Sequence, residues 1–253
     1  MNKKADVVIV GTGVAGLFSA LNLPDDKEII MITKSDAESS DSFLAQGGIC
    51  VLRDEQDYDS YFEDTMRAGH YENRKESVDI MIRSSGKIIE DLVGYGVEFE
   101  KDGEAFAYTR EGAHSRPRIL FHADVTGKEI TSKLLARVRE KNNVTIYEYK
   151  TMTDILEENG KCAGITVKTQ SGEESSIYAD YTILASGGIG GLYQHSTNFP
   201  HLTGDALEVA KKTSHSSGAS GLCTDPSDYI VFGKAGQKIP DLRIRPWGRR
   251  TSL

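Results

Sequence analysis

The sequence predicts an α/β layer fold with a parallel sheet and a β-meander. Three observations predict it: two continuous apolar runs near the N-terminus, a helix-period segment between them, and closely spaced strand-like segments from residue 151 to 185. Val7-Val8-Ile9-Val10 is apolar and β-branched throughout, as a strand covered on both faces must be. Val14 to Leu23 follows with Leu17, Ala20 and Leu21 on one face and Pro24 as its stop. Ile29-Ile30-Met31-Ile32 is the second buried strand, completing a βαβ unit. Asp57 to Ala68, Lys75 to Gly94 and Thr126 to Lys141 carry helical spacing, and Val144 to Tyr149 is a strand. Thr151 to Leu156, Cys162 to Thr169 and Ser175 to Tyr181 form the meander, with a turn at Ser171-Gly172. Thr182 to Ala185 returns as a separate buried strand, and a last helix runs from Thr203 to Lys212.

Composition narrows the function classes. The chain has 253 residues, 38% hydrophobic and 27% charged, with no apolar run near the roughly 20 residues of a membrane span. Its N-terminus lacks the pattern of a secretory signal, so a cytoplasmic site is expected. A net charge of −8 disfavours nucleic acid and anionic lipid as partners. Cys50, Cys162 and Cys223 are far apart and odd in number, which indicates neither a disulfide framework nor a metal site.

The chemistry is concentrated in glycine-rich turns. Gly11-Thr12-Gly13-Val14-Ala15-Gly16 is a G-x-G-x-x-G between a strand and a helix. The first glycine permits the turn, the second lets the main chain approach a diphosphate, and the third lets helix pack on strand. The helix N-terminus adds free N–H groups and a partial positive charge. This is a Rossmann-like dinucleotide site, and the motif alone does not choose between NAD and FAD. The acidic residue usual at the end of the second strand is replaced by Thr33-Lys34-Ser35, so Lys34 is either a phosphate ligand or a solvated surface lysine. Two further segments suit a planar ligand: Asp41-Ser42-Phe43-Leu44-Ala45-Gln46-Gly47-Gly48, and Ala185-Ser186-Gly187-Gly188.

These segments, with Arg110-Glu111-Gly112-Ala113-His114-Ser115, Asp124-Val125-Thr126-Gly127 and Thr203-Gly204-Asp205 in this order, resemble the fumarate reductase and succinate dehydrogenase flavoprotein superfamily, and within it the L-aspartate oxidase branch. The resemblance covers residues 4 to 212. It implies a Rossmann-like FAD-binding domain with FAD held by Thr12 to Ala15, Lys34, Asp41 to Gly48, the main chain at Met152 and Thr153, Ser186 to Gly188 and Asp205. It also implies oxidation of L-aspartate to iminoaspartate, with oxygen or fumarate taking the electrons on and quinolinate synthase as a partner in NAD biosynthesis. Asp41 stands where succinate dehydrogenase flavoproteins carry the histidine that bonds FAD covalently, so noncovalent FAD is expected. Glu111 is the expected partner of the substrate's amino group, since a carboxylate pairs with an ammonium and repels a second carboxylate. Arg110, Arg116 and Arg118 offer guanidinium forks for a diacid, and Arg118 is taken as the catalytic candidate. His114 and His122 are read as structural. Ala113 and Ala206 stand where glycine is common in the superfamily.

The superfamily's HPT segment and capping domain are missing from the chain. Thr213 to Leu253 carries six Lys or Arg against three Asp or Glu, half of the prolines and no sustained period, so no secondary structure is assigned to it. With suitable third bases, a reading frame shifted by one nucleotide from Lys212 encodes a string containing Q-I-H-P-T. Residues 213 to 253 are therefore expected to be an out-of-frame tail on an incomplete FAD-binding domain, and the chain itself to be inactive. The competing readings are a fumarate reductase-like enzyme, a noncatalytic nucleotide-binding fragment, and an NAD dehydrogenase, which the A-Q-G-G segment disfavours.

Overall fold

A computed structural model of the chain describes residues 3–212 and 230–233. In chain order its elements are β1 (Lys3–Val10), α1 (Val14–Leu21), β2 (Ile29–Ile32), α2 (Asp41–Leu44), β3 (Ile49–Cys50), α3 (Tyr58–Ala68), α4 (Lys75–Gly94), β4 (Lys101–Asp102), β5 (Ala105–Phe106), β6 (Ile119–Leu120), α5 (Thr126–Glu140), β7 (Val144–Tyr147), β8 (Lys150–Glu158), β9 (Lys161–Thr169), β10 (Glu174–Leu184), α6 (Asp205–Lys212) and β11 (Ile230–Gly233). They group into two compact units, Met1–Phe43 with Leu134–Leu253, and Leu44–Lys133.

The first unit is built on a seven-stranded sheet in the order β7-β2-β1-β10-β9-β8, with β11 also beside β10. β7, β2, β1 and β10 run parallel, and β10, β9 and β8 form the antiparallel meander. This is the α/β fold with parallel sheet and meander that the sequence predicts. Val7, Val8 and Ile9 are nearly inaccessible, as are Met31 and Ile32, which explains why those runs have no polar alternation. Leu17 and Ala20 of α1 are fully buried. On the meander side Val8, Ile32, Ile155, Ile165 and Ile177 share one core with Ala206 and Val209 of α6. Each such side chain contributes about 1.5–3 kcal/mol by leaving water.

Two expectations about strands are corrected. Ser175 to Tyr181 and Thr182 to Ala185 are not separate; they are one strand, Glu174–Leu184. Glu174–Tyr178 pairs with β9, Ile177–Leu184 with β1, and Tyr181–Leu184 with β11. The tail received no secondary structure from the sequence, yet Ile230–Gly233 pairs antiparallel with Tyr181–Leu184. The rest of the tail lies outside the described residues.

The second unit packs α3 against α4 around Tyr61, Met66, Val78 and Ile82. Two small antiparallel pairs, β3 with β6 and β4 with β5, complete it. Asp54 opens the turn before α3, its carboxylate accepting the Asp57 N–H at 3.0 Å. Among the described residues no helix is long and apolar enough to cross a membrane.

Candidate functional site

In the first unit a cleft open to solvent at its mouth lies at the C-terminal ends of β1 and β2. That is the crevice where parallel α/β sheets bind ligands. Its lining includes Gly11, Thr12, Gly13, Lys34, Asp41, Ser42, Met152, Ser186, Gly187 and Asp205, so ten expected cofactor residues converge there.

The glycine turn is shaped as the dinucleotide reading requires. Gly11 has φ +114°, and a Cβ on it would stand 2.1 Å from the Ala185 carbonyl oxygen, so no other residue fits between β1 and β10 here. A Cβ on Gly16 would stand 2.1 Å from the Gly11 oxygen, the close helix-to-strand approach assigned to the third glycine. Gly13 occupies the N-cap of α1 with no side-chain capping bond, and the first turn has no acidic residue. The Val14 N–H donates to Ser42 Oγ at 3.2 Å. A helix start left without its own anionic cap, above a glycine floor, favours a diphosphate.

Lys34 is not a solvated surface lysine. Its ammonium donates to Thr203 Oγ1 and to Asp205 Oδ2, both at 2.7 Å, and the Thr203 hydroxyl donates to Asp205 Oδ1 at 2.7 Å. This triad ties the end of β2 to the start of α6. Thr203 is the member that sequence reasoning missed, although it opens the T-G-D motif.

Asp41 is committed within the protein. Its carboxylate accepts the Phe199 N–H at 2.9 Å and also pairs with the Asn198 amide, closing loop 196–203 against α2. His201 Nε2 donates to the Ser39 carbonyl at 3.0 Å in the same place. Ala15 lies in the first turn of α1, where its carbonyl accepts the Ser19 hydroxyl. Lys150, Thr151 and Met152 line the cleft, and Thr153, next to them, has its hydroxyl donating to Thr166 O at 3.4 Å on the neighbouring strand. Phe43 is half-buried on α2 and Gly188 follows the lining residues Ser186 and Gly187 without joining them.

Leu44, Ala45, Gln46, Gly47 and Gly48 belong to the second unit and are all exposed. The segment is anchored from below. Gly127 N–H donates to Ala45 O at 2.9 Å, and a Cβ on Gly48 would stand 2.2 Å from the Leu120 oxygen. Glu111 is exposed, and its two carboxylate oxygens stand 3.0 and 3.1 Å from where a Cβ on Gly47 would be. The structure therefore brings together Glu111 and the A-Q-G-G segment, 64 positions apart in sequence.

Arg118 is a correction. Its side chain is fully inaccessible, and all five N–H groups are used inside the unit. Nε and Nη2 grip Asp57, Nη1 donates to Asp64 Oδ2 at 2.7 Å and meets His114 Nδ1 at 3.1 Å, and Nη2 also reaches Ser60 Oγ at 2.8 Å. A guanidinium spent in this way cannot also clamp a diacid. Arg116 is exposed and approaches Asp57 only to 3.9 Å, and Arg110 is exposed.

The electrostatics follow from this cage. Burial acts to raise the carboxyls of Asp57 and Asp64, but hydrogen bonds and charge from Arg118, with Ser60 and Ser115, outweigh it and hold both below the ordinary range. Burial, then the Arg118 charge, push the His114 imidazole down. Because a guanidinium only donates, His114 Nδ1 is the acceptor and the neutral ring carries its proton on Nε2, 3.3 Å from Cys50 Sγ. His122 Nδ1 donates to Glu98 O at 2.8 Å. Both histidines therefore have hydrogen-bond partners within the second unit.

A family model described as "FAD binding domain" matches residues 6–219. An L-aspartate oxidase of Clostridium perfringens is 45% identical over 210 residues, covering 83% of this chain and 48% of the relative. An L-aspartate oxidase of Neisseria meningitidis is 34% identical over 244 residues, 95% of this chain and 47% of the relative. The chain thus spans about half the length of these curated relatives. Among solved structures, an E. coli quinol fumarate reductase FrdA variant superposes with a TM-score of 0.80 at 25% identity, covering 84% of this chain and 37% of the other.

Proposed function

The chain belongs to the FAD binding domain family, and from that premise we propose that it is the cofactor-holding part of a flavoenzyme that oxidises L-aspartate to iminoaspartate. The observation that carries the substrate is the Glu111 carboxylate beside Gly47 of the A-Q-G-G segment. The relatives named L-aspartate oxidase support the same reading.

The residues present fit an FAD. In the first unit the glycine floor at Gly11, the open start of α1 and the Lys34–Asp205 pair would hold the diphosphate and ribose, with Ser42 and Ser186 as neutral donors. In the second unit, taken by itself, the Leu44–Gly48 segment is exposed and carries the Gln46 amide. FAD supplies the two-electron acceptor that no side chain can provide.

The chain's own contribution to the reaction is binding and orientation. Glu111 attracts the substrate ammonium and disfavours succinate, which offers no positive charge to offset the third carboxylate. The diacid clamp is assigned to residues other than Arg118, whose donors are all used. Oxygen or fumarate as the next electron acceptor and quinolinate synthase as a partner belong to this proposal, as does a cytoplasmic location. We also propose that the tail past Lys212 is out of frame. The N. meningitidis alignment runs into that tail, so the gene's own codons decide the matter.

The proposal is tested by anaerobic titration of the flavin-loaded protein, with the reading frame past Lys212 established from the gene. Bleaching of the flavin by L-aspartate and not by succinate supports it. Equal bleaching by both, or reduction by succinate alone, replaces it with the fumarate reductase-like reading.

A further inference from the structure

Glu111 is exposed and has no side-chain hydrogen bond among the described residues; its loop is fastened two and four residues later, at Ala113 and Ser115. We propose that Asp64, on α3, is the positioning residue for the Glu111 carboxylate. This rests on the reading above for what Glu111 binds and goes beyond it in saying what holds Glu111 in place.

Asp64 is 3% exposed and takes four hydrogen bonds. Its Oδ2 accepts from the Ser115 N–H at 2.6 Å, the Ser115 hydroxyl at 2.7 Å and Arg118 Nη1 at 2.7 Å, and its Oδ1 accepts from Arg67 Nη2 at 2.7 Å. Arg67 reaches on to the Ala113 carbonyl at 3.5 Å, so Ala113 and Ser115 are both tied to the same carboxylate. Glu111 opens the turn that precedes Ser115, with the His114 N–H 3.3 Å from Glu111 O.

The turn needs such a hold. Ala113 has φ +68°, left-handed backbone that strains an alanine and costs a glycine almost nothing. Hydrogen bonds to a buried charged acceptor are among the stronger ones, so the Ser115 pair offsets that strain. Burial acts to raise the Asp64 carboxyl, but the two hydrogen bonds from Ser115, and after them the hydrogen bond and charge of Arg118, outweigh it and hold the carboxyl below the ordinary range. The cage that removes Arg118 from the substrate thus works on the substrate through Glu111.

Hydrogen exchange on the full chain tests this without substrate. In Ser115→Ala, which removes one donor and buries no charge, amides of residues 110–115 should exchange about threefold faster, and in Asp64→Asn about tenfold faster. Amides of α4 should be unchanged in Ser115→Ala. The double variant should be no faster than Asp64→Asn alone, because Ser115 acts through Asp64. In the flavin-loaded protein Asp64→Asn should raise KM for L-aspartate about tenfold and leave the inhibition constant of succinate as a competitor unaltered. Unchanged loop exchange in both variants, or a rise in Ser115→Ala shared equally by α4, overturns the proposal. So does an equal change in the two constants. If L-aspartate fails to reduce the flavin at all, the activity reading falls while the exchange result still decides the role of Asp64.

Discussion

Arg118 and Asp57 form a two-pronged pair, Nε to Oδ2 at 3.0 Å and Nη2 to Oδ1 at 2.8 Å, with side-chain exposures of 0% and 2%. Such a pair is costly to break from one side, because the remaining charge stays buried. Arg118→Met removes the buried cation from Asp57 and Asp64, leaving only the more exposed Arg116 at 3.9 Å and Arg67 at 2.7 Å, and should lower stability by about 3–5 kcal/mol. Arg118→Lys should recover little, since an ammonium cannot reproduce the fork. Urea midpoints measure both, and native-like midpoints in either variant contradict the cage.

The same cage makes stability depend on acid. His114 has its folded pKa below the ordinary 6.5, so as pH falls through 6.5 the unfolded chain takes up a proton that the folded one refuses. Stability therefore drops in that window. Asp57 and Asp64 are held below 3.8, so their contribution is full above 3.8 and is lost as pH falls further. Midpoints at pH 7 and pH 5 should differ less in His114→Gln than in the parent chain; an equal or larger difference contradicts the assignment of the neutral ring.

Gly16→Ala tests the helix-to-strand approach. The new Cβ would need to displace the Gly11 carbonyl, 2.1 Å away, in a part of the chain with no slack. A loss of about 2–3 kcal/mol is expected from overpacking, together with weaker FAD binding. Thermal melting with and without added FAD reads both, and an unchanged melting point is the contradictory result.

Lys34→Met removes a charge from the cleft and leaves Asp205 with Thr203 alone. FAD affinity should fall about tenfold, with stability changed by about 1 kcal/mol or less because the pair is one-third exposed. Flavin fluorescence titration reads the affinity. Unaltered affinity would return Lys34 to the class of surface lysines.

Legibility in the sequence followed how local each signal was. The first βαβ unit was readable because its burial is total and its glycines sit at fixed spacing, so neighbours along the chain carry the whole message. β10 was misread as two strands because its burial changes within one element. Residues Glu174 to Tyr181 are largely intermediate with scattered buried positions, whereas Thr182 to Leu184 are continuously buried. β3 and β6, two residues each, are below any period that a sequence can display. Arg118 was misassigned because its partners lie 61 and 54 positions away, and nothing near it in the chain distinguishes a buried guanidinium from one facing a ligand. Glu111 is singled out only through the resemblance, and its place beside Gly47, 64 positions away, is not legible in the sequence.

The most direct measurement is the visible absorption of the purified chain beside that of Gly11→Ala, each after incubation with FAD and removal of the free cofactor. The account predicts flavin bands near one equivalent in the parent and their loss in the variant, whose Cβ would meet the Ala185 carbonyl at 2.1 Å. A well-folded parent that stays colourless, or a variant that retains flavin equally, would contradict it.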